Sequence, residues 1–200
     1  MKLRYSTTSP YSRKVLICAI ELGLRDRIEL VPTSPFAADT DLPRDNPLGK
    51  IPALIADDGF VLYDSPVICE YLAGLVPGNA IYPAAGAERW RALRLQALAD
   101  GITDAAVLVR LESRRPQAQQ SPEWIARQSD AIARGLDAME GESHAWPDSF
   151  GIGQMAAVCA LGYLAFRFPD EPWGAQRPAL RDWATRVSLR ASVAATHPHE

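Results

Sequence analysis

Apolar and polar residues alternate near the start of the chain, and further along the apolar residues take the spacing of helices. Residues 2–6 and 27–31 alternate as half-buried strands do, and residues 13–24 between them show helical periodicity. One helix between two strands forms a βαβ unit, whose strands we expect to be parallel. The irregular segment that follows has room for one short helix at residues 39–44.

A β-hairpin is predicted next. Residues 51–55 and 60–63 are apolar runs, and the turn between them contains Asp58-Gly59. Asp-Gly between two such runs is among the stronger short-range hairpin signals. A helix follows, for which Ser65 is the expected N-cap. The predicted order of elements is therefore β-α-β-α-β-β-α.

The strand pattern ends at a linker, residues 77–86, that is rich in Pro, Gly and Ala. The rest of the chain has only helical periodicity, in segments at about 86–112, 122–140, 151–167 and 177–190. We therefore predict two domains, a small α/β domain over residues 1–76 and an all-helical domain over residues 87–200.

Composition narrows the class of protein. Hydrophobic residues make up 48% of the chain and charged residues 22%, as in a globular protein and unlike a disordered one. The net charge of −3 gives no support to nucleic-acid binding, which usually requires a strong basic balance. The chain start lacks the apolar core of a signal peptide, and no apolar run approaches the ~18 residues of a membrane span. We therefore expect a cytoplasmic protein that does not bind membranes.

The three cysteines give no sign of a disulfide or of a metal site. Cys18, Cys69 and Cys159 lie far apart, each inside an apolar stretch, without Cys-x-x-Cys or Cys/His spacing. We expect them to be small buried hydrophobes, and we expect no metal cofactor.

Pro52 stands at the start of the hairpin, where a proline cannot donate to the strand ladder. A βαβ unit, then a proline-led hairpin, then a helix is the thioredoxin-like arrangement. In that fold this proline follows a cis peptide bond. The backbone of Ile51 is then available to pair with an extended peptide as a neighbouring strand would.

The turn after the first strand reads Ser9-Pro10-Tyr11-Ser12. Dithiol proteins of this fold carry Cys-x-x-Cys here, at a helix N-terminus that lowers the thiol pKa. A serine cannot form a disulfide, which disfavours a disulfide reductase. Its hydroxyl can donate a hydrogen bond to a bound thiolate, and since a free thiol has a pKa near ~8.5, even a small downward shift enriches the anion at neutral pH. Ser9 and Ser12 can also simply cap the first helix.

These segments together resemble a cytosolic glutathione S-transferase. The residues that carry the resemblance are Ser9-Pro10-Tyr11-Ser12-Arg13-Lys14-Val15, Asn46-Pro47-Leu48-Gly49-Lys50-Ile51-Pro52-Ala53-Leu54 and Asp64-Ser65-Pro66. The resemblance covers the whole chain, because that family joins a thioredoxin-like domain to a helical one. It implies an α+β/α fold, glutathione as co-substrate, a serine-type site, a homodimer and a role in detoxification.

The resemblance also implies roles for individual residues. Ser9 would stabilise the thiolate, Ile51 would pair with the cysteinyl backbone of glutathione, and Lys50 would reach the glycine carboxylate. Asp64 and Ser65 would hold the γ-glutamyl end, the aspartate facing its ammonium and the serine its carboxylate. Lys50 can instead be an ordinary solvated lysine, and Asp64-Ser65 only a capping pair.

In the helical domain, the resemblance suggests that Asp100 reaches across a dimer interface to the glutathione amine, although a solvated surface acid is an equal interpretation. An electrophile pocket is expected between the domains. Its candidate lining residues are Tyr11, Val107, Arg110, Leu111 and Arg114. Apolar packing and surface arginines remain the alternative for each of them.

The leading interpretation is an enzyme that stabilises glutathione thiolate for attack on a small electrophilic, mostly apolar substrate. One alternative is a glutathione-fold binding or regulatory protein with little turnover, and another is a glutathione-dependent peroxidase. The joint presence of Ser9, Lys50, Asp64 and Ser65 favours a working thiol site over a scaffold that has lost it.

Overall fold

A computed structural model describes all 200 residues of the chain and separates into two compact units. The first unit contains residues 1–84 and 191–200, and the second contains residues 85–190. The last ten residues therefore group with the first unit, whereas the sequence boundary placed them in the helical domain.

The first unit is built on a four-stranded sheet with the order β2-β1-β3-β4. The strands are β1 (Lys2–Tyr5), β2 (Glu29–Pro32), β3 (Ala53–Ile55) and β4 (Val61–Leu62). β1 pairs with β2 in parallel, and β3 is antiparallel to both β1 and β4. The predicted parallel βαβ unit and hairpin are confirmed.

Two helices of the first unit connect and flank these strands. They are α1 (Pro10–Glu21) and α2 (Ser65–Gly74). α1 ends where Gly23 takes a φ of 68° and the Leu24 backbone N–H donates back to the Ala19 carbonyl at 2.8 Å. This is the Schellman pattern, in which a left-handed glycine lets the last helical carbonyls find donors. Only a 3-10 turn, Leu42–Arg44, forms where a short helix was predicted.

The core of the first unit takes its apolar side chains from the sheet and from both helices. Leu3 and Leu54 project from neighbouring strands, and Ile17, Ile68 and Leu72 come from the helices, all of them fully buried. Cys18 and Cys69 are also fully buried, and Cys159 of the second unit is 3% exposed, so the predicted burial of the cysteines is confirmed.

The second unit is all-helical, as predicted. Its helices are α3 (Gly86–Ser113), α4 (Pro122–Ser143), α5 (Ile152–Arg167) and α6 (Pro178–Ser188). α3 continues without interruption through Gly101, in agreement with the helical segment predicted at about 86–112. α5 is the central helix, and most of its residues are buried.

α5 approaches α3 closely because a glycine stands at their contact. A β-carbon built on Gly153 would lie 3.0 Å from the backbone oxygen of Ala92 and 3.0 Å from the β-carbon of Leu95. A β-carbon at these distances would require the backbone of α3 or Leu95 to shift, so glycine suits this spacing of the two helices.

The last residues of the chain pack on α1. A short helix, α7 (Ala191–Ala194), is followed by the terminal segment. Arg13, only 6% exposed, donates from Nη2 to the Val193 carbonyl at 3.2 Å and from Nε to Thr196 Oγ1 at 3.5 Å. The Ser192 hydroxyl donates to the carboxylate of Glu21. These bonds explain why the tail belongs to the first unit.

None of the helices has the length and hydropathy that crossing a membrane requires.

Candidate functional site

One end of the sheet holds the turn after β1, the segment before β3 and the segment after β4. Arg4, near the end of β1, is opposite Ala53 at the start of β3, so the turn after β1 lies beside the segment that leads into β3. Leu54 is opposite Leu62 at the end of β4, which brings the segment after β4 to the same end. The strand register therefore gathers Ser9, residues 50–52 and residues 64–65 at one end of the sheet, as the sequence interpretation required.

Ser9 is the N-cap of α1. Its backbone is extended (φ −82°, ψ 119°), and its Oγ accepts a hydrogen bond from the Ser12 backbone N–H at 3.2 Å. No acceptor within the protein takes the hydrogen of the Ser9 hydroxyl. The first turn of α1 contains no acidic residue, so the positive end of the helix dipole is not neutralised there.

Ser12 does not cap the helix. Its side chain is fully buried, and its hydroxyl has no hydrogen-bond partner. Ser9 does cap the helix, but capping uses a lone pair of the oxygen and leaves the hydroxyl hydrogen to be donated elsewhere. Capping and binding an anionic sulfur are therefore compatible at Ser9.

The segment before Pro52 is held by Asn46, which is 2% exposed. The Asn46 amide donates to the Lys50 carbonyl at 2.7 Å, and its Oδ1 accepts from the Leu48 backbone N–H at 3.0 Å. Gly49 takes a φ of 61°, which suits glycine. The asparagine and glycine of the motif thus build the loop, and the Lys50 side chain is left exposed to solvent.

The Ile51–Pro52 peptide bond is cis, as the thioredoxin-like fold predicted. Ile51 is half-buried, and neither its backbone N–H nor its C=O bonds to another group of the protein. An extended peptide that runs past this residue would therefore find both a donor and an acceptor.

The structure corrects the predicted start of α2 by one residue. Asp64, not Ser65, is the N-cap, and the bond from Tyr63 to Asp64 is cis. The Asp64 carboxylate is exposed and forms no capping hydrogen bond, while Ser65, the first helical residue, is 1% exposed. The N-terminus of α2 is therefore open, which suits a carboxylate ligand.

An ion-pair group stabilises the same end of the first unit. Arg4 bonds through Nη1 to Asp41 at 3.0 Å and through Nε to Asp45 at 2.7 Å. The hydrogen bond from Arg4 lowers the pKa of the Asp41 carboxyl below its ordinary value of 3.8. These bonds tie the strand before Ser9 to the segment that leads to Asn46.

The remaining predicted residues are divided between the two units. Tyr11 is half-buried on α1 in the first unit. Asp100 is half-buried on α3 in the second unit. Val107, Arg110 and Leu111 lie on the last turns of α3, and Arg114 is its C-cap. Their spacing of three or four positions places them on one face of the helix.

Arg13 and Tyr163 are among the buried polar side chains that sequence analysis did not single out. Arg13 was read only as part of a motif, although a charged residue on the apolar face of α1 was a signal. Tyr163 is 6% exposed on α5. Burial raises its pKa, while the charge and hydrogen bond of Arg167 and the charge of Arg110 act in the opposite direction. The four-residue spacing of Tyr163 and Arg167 on a helix was the available signal.

The helical unit also contains a cavity of about 370 Å³, with Ile132, Leu136 and Trp173 among its lining residues. Arg177 borders it, but this side chain is already bonded to Asp137 and to the Trp173 carbonyl. None of the residues predicted for the site lines this cavity.

Both parts of the chain match described families. Residues 8–75 match the glutathione S-transferase N-terminal domain, and residues 122–186 match the glutathione S-transferase C-terminal domain. An uncharacterized GST-like protein of Escherichia coli, YibF, is 37% identical over 99% of this chain and 98% of its own length.

Solved structures agree in fold over the full length. A glutathione transferase family member from Pseudomonas fluorescens with bound glutathione superposes with a TM-score of 0.95 at 44% identity, covering 100% of this chain and 99% of the other. A structure from the same organism with bound S-(propanoic acid)-glutathione gives a TM-score of 0.91 at 42% identity, covering 100% of both chains. Two matching domains in the order of the family, together with relatives of this identity over the whole length, show that the chain belongs to the glutathione S-transferase family.

Proposed function

We propose that the protein is a glutathione transferase, in which the Ser9 hydroxyl donates a hydrogen bond to the sulfur of glutathione and holds it as the thiolate. The thiolate then attacks the electrophilic carbon of a small, mostly apolar substrate. The observation that carries the proposal is the state of Ser9: its oxygen is fixed by the Ser12 N–H, and its hydrogen has no acceptor in the protein.

The expected effect of such a bond is large enough to matter. A hydrogen bond to a charged group contributes about 1.5–3 kcal/mol, and each pKa unit corresponds to about 1.4 kcal/mol. One such bond therefore lowers the thiol pKa from ~8.5 by about one unit or more. The unneutralised N-terminus of α1 acts in the same direction, because it also favours an anion.

The rest of the tripeptide is proposed to lie along the same end of the sheet. The free backbone groups of Ile51 pair with the cysteinyl residue, and Lys50 reaches the glycine carboxylate. Ser65, at the open N-terminus of α2, binds the γ-glutamyl carboxylate, and the exposed Asp64 faces its ammonium. Asp100 is proposed to approach that ammonium across the interface of a homodimer.

The ligand of one relative supports transfer to carbon, whereas a relative from Methylobacterium radiotolerans is complexed with glutathione sulfonate, whose sulfur is oxidised. The Pseudomonas fluorescens protein described above binds S-(propanoic acid)-glutathione, a thioether, which has the form of a product of transfer to carbon. A peroxidase would instead leave the sulfur oxidised. A detoxification role in the cytoplasm agrees with such chemistry.

The test is a titration of glutathione that follows thiolate absorbance against pH, with wild type, Ser9→Ala and Ser12→Ala. The two variants carry the same chemical change three residues apart. We expect Ser9→Ala to raise the pKa of bound glutathione by about one unit, and Ser12→Ala to leave it unchanged. If the pKa of bound glutathione is equal in wild type and Ser9→Ala, a donor other than Ser9 stabilises the thiolate.

Turnover is then assayed with an aromatic halide and with an organic hydroperoxide. A lower rate of halide conjugation in Ser9→Ala than in wild type supports the transferase. Binding of glutathione without turnover of any electrophile would favour a binding or regulatory protein, and faster turnover of the peroxide would favour a peroxidase. A wild-type protein that does not bind glutathione would overturn the whole assignment.

A further inference from the structure

The cavity of the helical unit is separate from every residue assigned to glutathione or to the electrophile. It lies where α3, α4 and the end of α5 meet the connection between α5 and α6, and all of its lining residues belong to the second unit. Three buried apolar side chains, one from each helix, line it: Val109, Leu136 and Leu164. Its volume of about 370 Å³ is within the range of about 300–1,000 Å³ that is typical of small-molecule pockets.

The connection that forms one side of the cavity is bonded to α4. Arg177 donates from Nε to the Asp137 carboxylate at 2.8 Å and from Nη2 to the Ala133 carbonyl at 3.3 Å. Its Nη1 donates to the Trp173 carbonyl at 2.9 Å, within the connection itself. Because these bonds hold the connection against α4, the cavity is already formed, and a ligand does not have to order it on binding.

Aromatic and aliphatic side chains form most of the cavity surface. Ile132 of α4 is half-buried there, as are Phe168 at the end of α5 and Trp173 in the connection. An apolar cavity of about 150 Å³ holds one benzene ring. The larger volume found here has room for a ligand of two fused rings.

The charges around the cavity do not balance. Two of the lining side chains are charged, and one of them, Arg177, is neutralised by Asp137 at 2.7 Å. The other, Glu171, is exposed, and its carboxylate forms neither an ion pair nor a hydrogen bond within the protein. The uncharged polar side chains of the lining, Ser129 and Gln176, are exposed as well. The solvent-exposed side of the cavity therefore has one uncompensated negative charge.

This charge favours a cationic ligand over an anionic one. An ammonium group attached to the rings can pair with Glu171, and the aromatic side chains of Phe168 and Trp173 attract a cation as well. A carboxylate would instead be repelled by Glu171, and it would find the guanidinium of Arg177 already bonded to Asp137 and to two backbone carbonyls.

We propose that this cavity is a binding site for small aromatic amines. The rings of the ligand contact Val109, Leu136 and Trp173, and its ammonium pairs with Glu171. The ligand binds without any bond being made or broken. The inference does not depend on the proposed function, because the cavity contains none of the residues that bind or activate glutathione in that proposal.

The first experiment is calorimetry with three naphthalene compounds that differ in one group. They are 1-naphthylmethylamine, 1-naphthalenemethanol and 1-naphthylacetate, which are cationic, neutral and anionic at neutral pH. We expect one amine to bind per chain with a Kd of about 0.1 mM, as suits a ligand of this size. The alcohol should bind about ten-fold more weakly, because it loses both the ion pair and the attraction to the rings.

Three results of this calorimetry would overturn the proposal. They are no binding of the amine, binding of the alcohol as tight as that of the amine, and binding of 1-naphthylacetate tighter than that of the amine. The last result would identify the cavity as a site for anions.

A pair of charge variants tests the role of Glu171. Glu171→Gln should weaken binding of the amine by about three-fold to five-fold and leave the alcohol unchanged, as expected for an exposed ion pair. Asp170→Asn is the matched control, because Asp170 is an exposed acid one position away that does not line the cavity. Equal losses in the two variants would overturn the ion pair with Glu171.

A pair of size variants tests where the ligand binds. Ala133→Phe adds a ring at a residue that lines the cavity, and it should weaken binding of the amine and of the alcohol by about ten-fold or more. Ala126→Phe is the control, because Ala126 is exposed on the same helix two turns earlier and does not line the cavity. Unchanged binding in Ala133→Phe would place the ligand elsewhere, and urea unfolding of each variant excludes misfolding as the cause of a loss.

The last measurement separates this site from the glutathione site. Ser9→Ala, and wild type saturated with glutathione, should bind the amine with the same Kd as wild type alone. Competition between glutathione and the amine would assign the amine to the glutathione site and overturn the proposal. Binding of the amine by a protein that does not bind glutathione would support the cavity site and overturn only the proposed function.

Discussion

The two units of the protein build their binding groups in different ways. In the first unit, the candidate site consists of backbone groups and helix caps that loops hold in place: the N-cap Ser9, the free backbone of Ile51 and the open N-terminus of α2. In the second unit, the predicted groups are side chains on a helix face, such as Arg110 and Leu111 on α3.

The difference explains why the first site follows from sequence motifs, whereas the candidate residues of the second unit follow only from the family resemblance. Backbone geometry requires particular residues, such as the buried Asn46 that holds the loop before Pro52 and the glycine at position 49. A helix face accepts many residue types. The chemistry of that face therefore depends on which side chains lie three or four positions apart. The predictions below test whether the first unit depends on local backbone groups and the second on packing between helices.

The largest effect is expected where two helices of the second unit meet. Gly153→Val places side-chain atoms against the Ala92 carbonyl and Leu95, because even a β-carbon there lies at 3.0 Å from both. We expect a loss of about 3 kcal/mol in the free energy of unfolding, measured with urea.

Gly101→Ala is the matched control, because a β-carbon at Gly101 meets nothing within 4 Å. It should stabilise the protein by about 0.5–1 kcal/mol through helix propensity. A similar loss in both variants would show that close helix packing does not set the stability of the second unit.

A smaller effect is expected at the contact between α1 and the tail. Arg13→Ala removes the donor to the Val193 carbonyl and to Thr196. We expect a loss of about 2 kcal/mol in unfolding free energy, because a buried charged donor is lost. At this position the first unit depends on a side-chain donor, whereas its candidate site consists of backbone groups and helix caps.

Deletion of residues 191–200 provides the comparison for Arg13→Ala. If the tail acts through Arg13, the deletion and Arg13→Ala in combination should cost little more than the deletion alone. If the losses in unfolding free energy add when the two changes are combined, Arg13 stabilises the protein through a contact other than the one with the tail.

The smallest effect is expected at the start of α1. Ser9→Ala removes the N-cap acceptor of the Ser12 N–H and should cost about 1 kcal/mol. Ser12→Ala removes a buried hydroxyl with no partner, so it should be neutral or stabilising. Urea unfolding of both variants checks the difference, and a larger loss for Ser12→Ala would mean that its hydroxyl is bonded in solution.

Much of the first unit was predictable. The alternating strands and the hairpin with Asp58-Gly59 followed from local sequence, because each depends on residues close together in the chain. The cis Ile51–Pro52 bond followed from the thioredoxin-like order of the elements. The start of α2 was wrong by one residue, since Asp64 and Ser65 are both good N-cap residues and the sequence does not distinguish them.

The sequence by itself determined the four strands, the long helices and their order, because strand alternation, turn residues and helical spacing are local properties. Its motifs also identified the family to which the chain belongs. Only the tertiary structure decided that the tail belongs with the first unit, that Ser12 is buried without a partner, and that Tyr163 is buried. Each of these depends on residues that are distant in the chain or on which face of a helix is covered, and no local pattern specifies a contact between faces.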